Sequence, residues 1–406
     1  MNLGSPGRPP FALAVLPALL AGIAAGCASE APSATDLTIT TDTVGGIVRV
    51  TNTGTVPAWQ LTPVVSIGPR SLSETGAPEE FGRVNSATLG PDETVLVADG
   101  LNHEVRVFGL DGVHRRTFGR NGEGPGEFRS LYSVAWMGDR LLTLDSSLGR
   151  IGEFSAEGEW LGQQRVEGRV SGSPAGIRLI PAGPDEFYRL GFLRDAAGIT
   201  RVLVRHDSRG ETGDTLSWLQ PPPGPAGFIL CQHGGTITSF PVPFGPGLAQ
   251  HPGPGAVMYS AMTDAYRIAV TGRNGDTLRV IERSLSPEPI SDEEWAAGNR
   301  DFEELLAERP DAECDPRRPG RPEAKSFIQS LFIAPDGKLW VEVIRTAGNR
   351  WELFDPEGRL LGAVPAPPRK EDAAPAFSAD HLITIRQDSL DLDHVDVWRI
   401  ERMPLP

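Results

Sequence analysis

Short apolar runs separated by turn residues recur along the chain, and the clearest example is Thr94–Phe128. Its sequence, TVLVADGLNHEVRVFGLDGVHRRTFGRNGEGPGEF, predicts strand, turn, strand, tight turn and strand, followed by a glycine-rich passage. The tight turn falls at Asp111–Gly112, because glycine accepts a positive φ without steric cost. This stretch therefore predicts part of a small antiparallel sheet.

The hairpin around Gly112 has four further copies along the chain. Each copy has an apolar strand, a polar turn closed by glycine, and a second strand; the closing glycines are Gly158, Gly210, Gly275 and Gly358. A second repeated signal precedes the sheets, as Pro78–Phe81 (PEEF) and again as Pro125–Phe128 (PGEF). Internal similarity at a period of about 40 to 50 residues is typical of a propeller or a solenoid.

The two ends of the chain complete one further copy. Ala376–Ile400 supplies strands, but the chain stops at Pro406 without a fourth one. The strand at Val64–Ile67 stands where a fourth strand should, directly before the first linker. We therefore predict an all-β fold, a six-bladed β-propeller of four-stranded antiparallel blades. An N-terminal strand that completes the last blade would close the ring and remove exposed sheet edges.

Two insertions interrupt the repeat. Residues 218–255 are rich in proline and glycine, which indicates a surface segment, and they flank a candidate hairpin at Phe228–Ser239. Residues 286–323 contain the one predicted helix, because Ser291 and Glu294 have the spacing of a capping box. The helix is either a packing element or a lid or docking helix for a partner.

The N-terminus has the pattern of an export signal. Phe11–Ile23 is an apolar run that is too short to span a membrane comfortably and suits the core of a signal peptide. It ends in Ala-Ala-Gly-Cys27, which resembles a bacterial lipobox with Cys27 as the lipidated residue. The alternative is ordinary signal cleavage nearby. We divide the chain into a signal peptide at 1–27, a tether and N-terminal strands at 28–58, and the propeller at 59–406.

The net charge limits the classes of possible partner, and the cysteine content suggests a disulfide. The formal net charge of −15 would repel nucleic acid and anionic lipid, so we expect no nucleic-acid partner. An exported chain lies in an oxidising compartment, where Cys231 and Cys314 are candidates for a disulfide. The sequence alone does not place their Cα atoms within bridging distance.

The motifs of the clearest repeat also resemble a known family. Asp99–His103 (DGLNH), followed by VRVF, Asp111–Gly112, TFG and GEGPGEF, is similar to the NHL repeat of bacterial six-bladed β-propeller lipoproteins. The resemblance covers roughly Trp59 to Met403. It implies the fold, whereas the function stays open, because such propellers include binding scaffolds, sensors and a few hydrolases or lyases.

Three features could carry chemistry, and each also has a structural interpretation. His103 lies in the repeat turn and is either a packing residue or a metal ligand. Asp99 and Asp145 end equivalent strands, where they either bind turn backbone or ring a channel around a cation. The glycine-rich run Gly119–Gly126 is either a phosphate cradle or the part of the repeat that precedes a strand, and it lacks the Lys-Ser/Thr that a phosphate-binding loop needs.

No catalytic, cofactor-binding or metal-binding residue is assigned from the sequence, and no cofactor is expected. We expect a monomeric, exported protein at the bacterial cell envelope. A lipid anchor would hold it to the membrane, and it would bind an unidentified protein or small-molecule ligand. The alternative is a propeller hydrolase or lyase with a metal in its central channel.

Overall fold

The computed structural model describes residues 36–69, 76–166, 178–182, 186–195, 198–207, 212–217, 227–318 and 320–402. All of them belong to the unit Asp36–Pro406. The predicted signal peptide, Cys27, the turn at Gly210 and the start of the first insertion lie outside these residues. Within the described chain, no helix is both long and apolar enough to cross a membrane.

The strands before the first linker form a hairpin and a single long strand. They are β1 (Thr38–Val44), β2 (Ile47–Thr53) and β3 (Trp59–Ile67).

The strands that follow form successive antiparallel sheets, in which each strand pairs with the next strand along the chain. Sheet one contains β4 (Val84–Gly90), β5 (Thr94–Asp99), β6 (Glu104–Gly109) and β7 (His114–Phe118). Sheet two contains β8 (Leu131–Met137), β9 (Arg140–Asp145), β10 (Arg150–Phe154) and β11 (Trp160–Arg165). Sheet three contains β12 (Leu179–Pro181), β13 (Glu186–Asp195), β14 (Gly198–Asp207) and β15 (Thr212–Ser217).

After sheet three, the chain forms the hairpin β16 (Phe228–His233) and β17 (Thr236–Pro241). Sheet four follows, with β18 (Leu248–Gly253), β19 (Val257–Met262), β20 (Arg267–Thr271) and β21 (Thr277–Arg283). Two helices, α1 (Asp292–Gly298) and α2 (Arg300–Glu308), and the short strand β22 (Glu313–Asp315) come next.

Sheet five contains β23 (Ile328–Ile333), β24 (Leu339–Val343), β25 (Arg350–Phe354) and β26 (Leu360–Pro365). Sheet six contains β27 (Ala376–Phe377), β28 (His381–Gln387), β29 (Asp393–Arg402) and, as its fourth strand, β3.

The N-terminal strands join two different sheets. Strand β3 pairs antiparallel with β29, from Val395 opposite Ile67 to Arg402 opposite Trp59. The N-terminal strand therefore completes the last sheet, as the sequence predicted. The hairpin β1–β2 extends sheet four, because β2 lies parallel to β21 and makes this sheet six-stranded. The sequence did not predict this second attachment.

The closing glycines of the repeated hairpins have the backbone conformation that the turns require. Gly112, Gly158, Gly275 and Gly358 have φ values of 76°, 87°, 83° and 88°. An L-residue with a Cβ adopts this region only with strain, which explains the recurrence of glycine at these turns.

Apolar side chains fill the space between each pair of successive sheets. Sheets one and two share a cluster containing Leu96, Val107, Leu141 and Phe154. Comparable clusters join sheets two and three, three and four, four and five, and five and six. Another cluster, with Val84, Val97, Ile383 and Val395, joins sheet six to sheet one. The fold is that of a β-propeller, nearly all-β and built from four-stranded antiparallel sheets.

The two insertions form one structure, which we call the accessory module: β16, β17, α1, α2 and β22. Strand β16 pairs with both β17 and β22. Cys231 lies opposite Cys314 across β16 and β22, and a disulfide joins them. The two insertions were predicted as separate segments, because the four strands of sheet four lie between them in the sequence.

Two predictions for the insertions were wrong, the number of helices in one and the end of the other. The helical insertion contains two short helices instead of one, because Asn299, with ψ of 5°, separates α1 from α2. Gly298 and Asn299 are both poor helix formers, which favours a break there. The capping box of Ser291 and Glu294 was correct. The proline-rich insertion ends earlier than the predicted residue 255, because Leu248–Gly253 is the first strand of sheet four.

Candidate functional site

The first strands of the sheets surround a central cavity of about 800 Å³. Residues from all six sheets, or from the loops that enter them, line it. Most of its wall is apolar, with aromatic rings from Tyr132, Trp136, Phe332 and Phe377. Because the first strands of all six sheets line one cavity, side chains that are far apart in sequence come together there.

Arg178 is the most unusual polar group of this cavity. It directly precedes β12, and its side chain lines the cavity while retaining partial exposure. Its Nε atom is buried and has no hydrogen-bond partner, and no ion pair involves its guanidinium among the residues that the structure describes. Burial and, secondarily, the nearby charge of Arg369 lower the pKa of Arg178 to about 10. The side chain is still a cation at neutral pH.

The neighbouring basic side chains, in contrast, are neutralised by acids. Lys370 Nζ lies 3.0 Å from Asp393 Oδ1. Arg369 donates from an Nη atom to Glu342 at 2.5 Å, and its guanidinium lies over the Phe332 ring, 5.5 Å from the centroid. These two pairs contrast with Arg178, whose guanidinium has no acidic partner in the part of the chain that the structure describes.

His251 supplies a neutral acceptor to the same cavity. It lies on β18, is 6% exposed, and its Nδ1 is 2.7 Å from the carbonyl oxygen of Pro252. A carbonyl only accepts, so Nδ1 carries the proton and Nε2 keeps its lone pair. Burial, assisted by the charge of Arg178, lowers the pKa of His251 to about 3. The ring therefore stays uncharged over the physiological range.

Tyr132 contributes a hydroxyl group to the wall of the cavity. It lies on β8 and is half-buried against the cavity. Burial, and then the negative charge of Asp372, raise the pKa of Tyr132. Its phenol is therefore protonated at neutral pH and can donate a hydrogen bond.

The two aspartates singled out from the sequence bind turn backbone. Asp99 accepts from the backbone N–H groups of Gly82 at 2.9 Å and Arg83 at 3.1 Å. Asp145 accepts from the backbone N–H groups of Arg129 at 2.7 Å and Ser147 at 3.0 Å. The structural interpretation of this pair is therefore correct, and neither side chain lines the central cavity.

The other sequence candidates also lie elsewhere. His103 occupies the turn between β5 and β6 with φ of 61°. In the run Gly119–Gly126, Gly122 N–H donates to the Phe128 carbonyl at 3.1 Å and Gly124 N–H donates to the Glu127 carboxylate at 2.8 Å. Over the described ranges, no group of three or more His, Cys, Asp or Glu side chains is placed to hold a metal ion. The alternative of a metal-dependent hydrolase or lyase has no ligand set there.

Sequence reasoning missed both Arg178 and His251. His251 lies in the motif HPGPG, which the proline content assigned to a surface loop. Aligning every copy of the repeat on its first strand would have placed this motif at the centre. Arg178 directly precedes a first strand, as Arg83 does in sheet one, and that equivalence was the available signal.

Comparison with known proteins assigns the chain to no family. No family model matches the chain, and no curated protein sequence matches it. Among solved structures, a putative exported protein from Bacteroides fragilis is 10% identical with a TM-score of 0.43, covering 85% of this chain and 96% of that one. Virginiamycin B lyase from Staphylococcus aureus is 10% identical with a TM-score of 0.38, covering 89% and 98%. BamB from Moraxella catarrhalis is 12% identical with a TM-score of 0.35, covering 84% and 99%. Similarity at these TM-scores carries no argument about the fold, the function or the ligand of this chain.

Proposed function

We propose that this protein is an exported, lipid-anchored, six-bladed β-propeller of the NHL type that binds a small-molecule ligand in its central cavity. The observation that carries the proposal is the cavity itself. Its volume of about 800 Å³ lies within the range of small-molecule sites, roughly 300 to 1,000 Å³. A mostly apolar wall with a few convergent polar groups is also the usual composition of such sites.

The location follows from the N-terminal sequence. The apolar run and the Ala-Ala-Gly-Cys27 motif favour export and lipidation, and a disulfide between Cys231 and Cys314 suits an oxidising compartment. In this proposal the protein is a monomer and reaches the membrane through its anchor alone. Replacing Cys27 by alanine should move the protein from the membrane fraction to the soluble fraction, and continued membrane association would contradict the anchor.

Filling the cavity tests the binding function directly. Ala374 lies in the loop before β27 and lines the central cavity, so Ala374→Trp adds a ring there without entering a strand. The probe is dansylamide, an uncharged aromatic fluorophore small enough for this volume. We expect saturable fluorescence enhancement with the wild type and at least tenfold weaker binding by Ala374→Trp.

The matched control is Ala297→Trp, which places the same ring on the exposed surface of α1. It should bind dansylamide as the wild type does, and both variants should keep the wild-type unfolding midpoint. Equal binding by the wild type and Ala374→Trp, or no saturable binding by the wild type, would contradict a ligand site in the cavity.

A further inference from the structure

We propose that the cavity recognises a small organic carboxylate, with Arg178 binding the carboxylate and the aromatic wall binding an apolar body. The inference rests on the proposed binding function and names the class of ligand. Its starting point is the guanidinium of Arg178, which is partly withdrawn from water without an ion-pair partner in the described chain.

An unpaired cation in a protein interior is costly, because it loses hydration and gains no compensating charge. Native structures therefore pair such groups, as this protein does for Lys370 with Asp393 and for Arg369 with Glu342. No acidic side chain of the described residues pairs with Arg178, which lines the cavity instead. The missing partner is then supplied by what enters the cavity.

The charge around the cavity favours a single negative charge on the ligand. Lys370 and Arg369 are already neutralised, and the lining residue Asp336 pairs with Lys338. The other two charged lining residues, Arg83 and Asp372, are solvent-exposed, so water screens both. One partly buried cation without a partner among the described residues matches a monoanion, whereas a dianionic phosphate would call for a second. The planar guanidinium also presents two parallel N–H groups, the geometry that binds a carboxylate bidentately.

The other residues that line the cavity indicate the chemistry of the rest of the ligand. Phe332, Phe377 and Trp136 offer ring surface to an apolar or aromatic body. His251 offers an Nε2 lone pair to an N–H or O–H of the ligand, and the phenol of Tyr132 offers a donor. His251 also lies near enough to Arg178 for the guanidinium charge to affect it. The site thus fits a carboxylate with a neighbouring donor group on an apolar skeleton.

The test compares two probes that share one aromatic body. Dansylglycine carries a carboxylate next to an N–H group, and dansylamide carries no charge. We expect the wild type to bind dansylglycine about tenfold or more tightly than dansylamide, the effect of one charge-assisted hydrogen-bonded pair. Arg178→Met should abolish this preference and leave dansylamide binding intact. Arg178→Lys, which keeps the charge and loses the fork, should retain part of the preference.

Arg83→Met is the matched control, because it removes an exposed arginine that lines the same cavity. Water and salt screen this charge, so the preference for dansylglycine should change less than about threefold. If Arg83→Met and Arg178→Met lose the preference for dansylglycine equally, the preference comes from the overall electrostatic potential of the cavity. That result would overturn the role of Arg178.

The remaining outcomes separate this inference from the proposed function. If the wild type binds both probes equally, or if Arg178→Met keeps the preference, the carboxylate inference is wrong and the binding cavity stands. Stronger competition by inorganic phosphate than by acetate, at equal ionic strength, would also overturn it. If neither probe binds the wild type, the proposed function fails and the inference fails with it.

Discussion

The sheets of the propeller and the accessory module are stabilised in different ways. Each sheet shares a buried apolar cluster with the sheets on both sides of it. The accessory module has one small cluster, in which Ile229, Cys231 and Phe302 are the fully buried members. Its β16 strand leaves Phe228 and Leu230 about half exposed on the other face. A sheet in the ring has two packed faces, whereas the module has one.

This difference explains where the covalent cross-link lies. A small apolar core stabilises a structure only marginally, and small exported structures commonly add disulfides for that reason. Here the disulfide joins the two insertions at the strand pair β16 and β22. The repeated sheets have no cross-link among the described residues, and apolar clusters between successive sheets hold them together.

The largest effect should come from matched truncations of one buried phenylalanine in each region. Phe154, 1% exposed, contacts the rings of Phe118, Phe128 and Trp160 between sheets one and two. Phe154→Ala should lower the free energy of unfolding by about 3–5 kcal/mol in urea titrations. Phe302→Ala, at 2% exposure, should instead increase hydrogen exchange within the module, with a smaller change in the global transition. Equal global losses would show that the module and the ring unfold together.

A smaller effect is expected from removing the disulfide. The cross-link spans 83 residues, which include all four strands β18 to β21 of sheet four. The double variant Cys231→Ala, Cys314→Ala should lower the free energy of unfolding by about 2–4 kcal/mol, because the unfolded chain gains freedom. Reducing the wild type with dithiothreitol should reproduce the shift. An unchanged urea midpoint in both experiments would mean that the cross-link does not limit the unfolded chain.

The smallest effect should follow from removing the helix cap. Ser291 accepts from the Glu294 backbone N–H at 3.1 Å, and Glu294 accepts in return from the Ser291 N–H at 2.9 Å. Ser291→Ala should destabilise α1 by about 1 kcal/mol, seen as faster hydrogen exchange in its first turn. Ser286→Ala, at an exposed position before the helix, is the control and should leave exchange unchanged. Faster exchange throughout sheet four would contradict the separation of the two regions.

The sequence by itself determined the local elements of this protein. Turn glycines such as Gly112 and Gly358, and the Ser291 capping box, act within a few residues, so their effect is visible in the pattern. The place of β3 in sheet six was also predictable, because the C-terminal copy of the repeat lacks a fourth strand and one additional strand precedes the first linker. Cys231 and Cys314 could be named as candidates, but their pairing could not be derived.

Only the tertiary structure decided what lies at the centre and how the insertions meet. Arg178 and His251 come from sheets three and four, and each looks ordinary among its sequence neighbours. Their shared environment exists because first strands from separate sheets converge on one cavity. The accessory module likewise needs strands from both sides of sheet four. Local sequence encodes φ, periodicity and caps, whereas the partners of a partly buried charge depend on everything that packs around it.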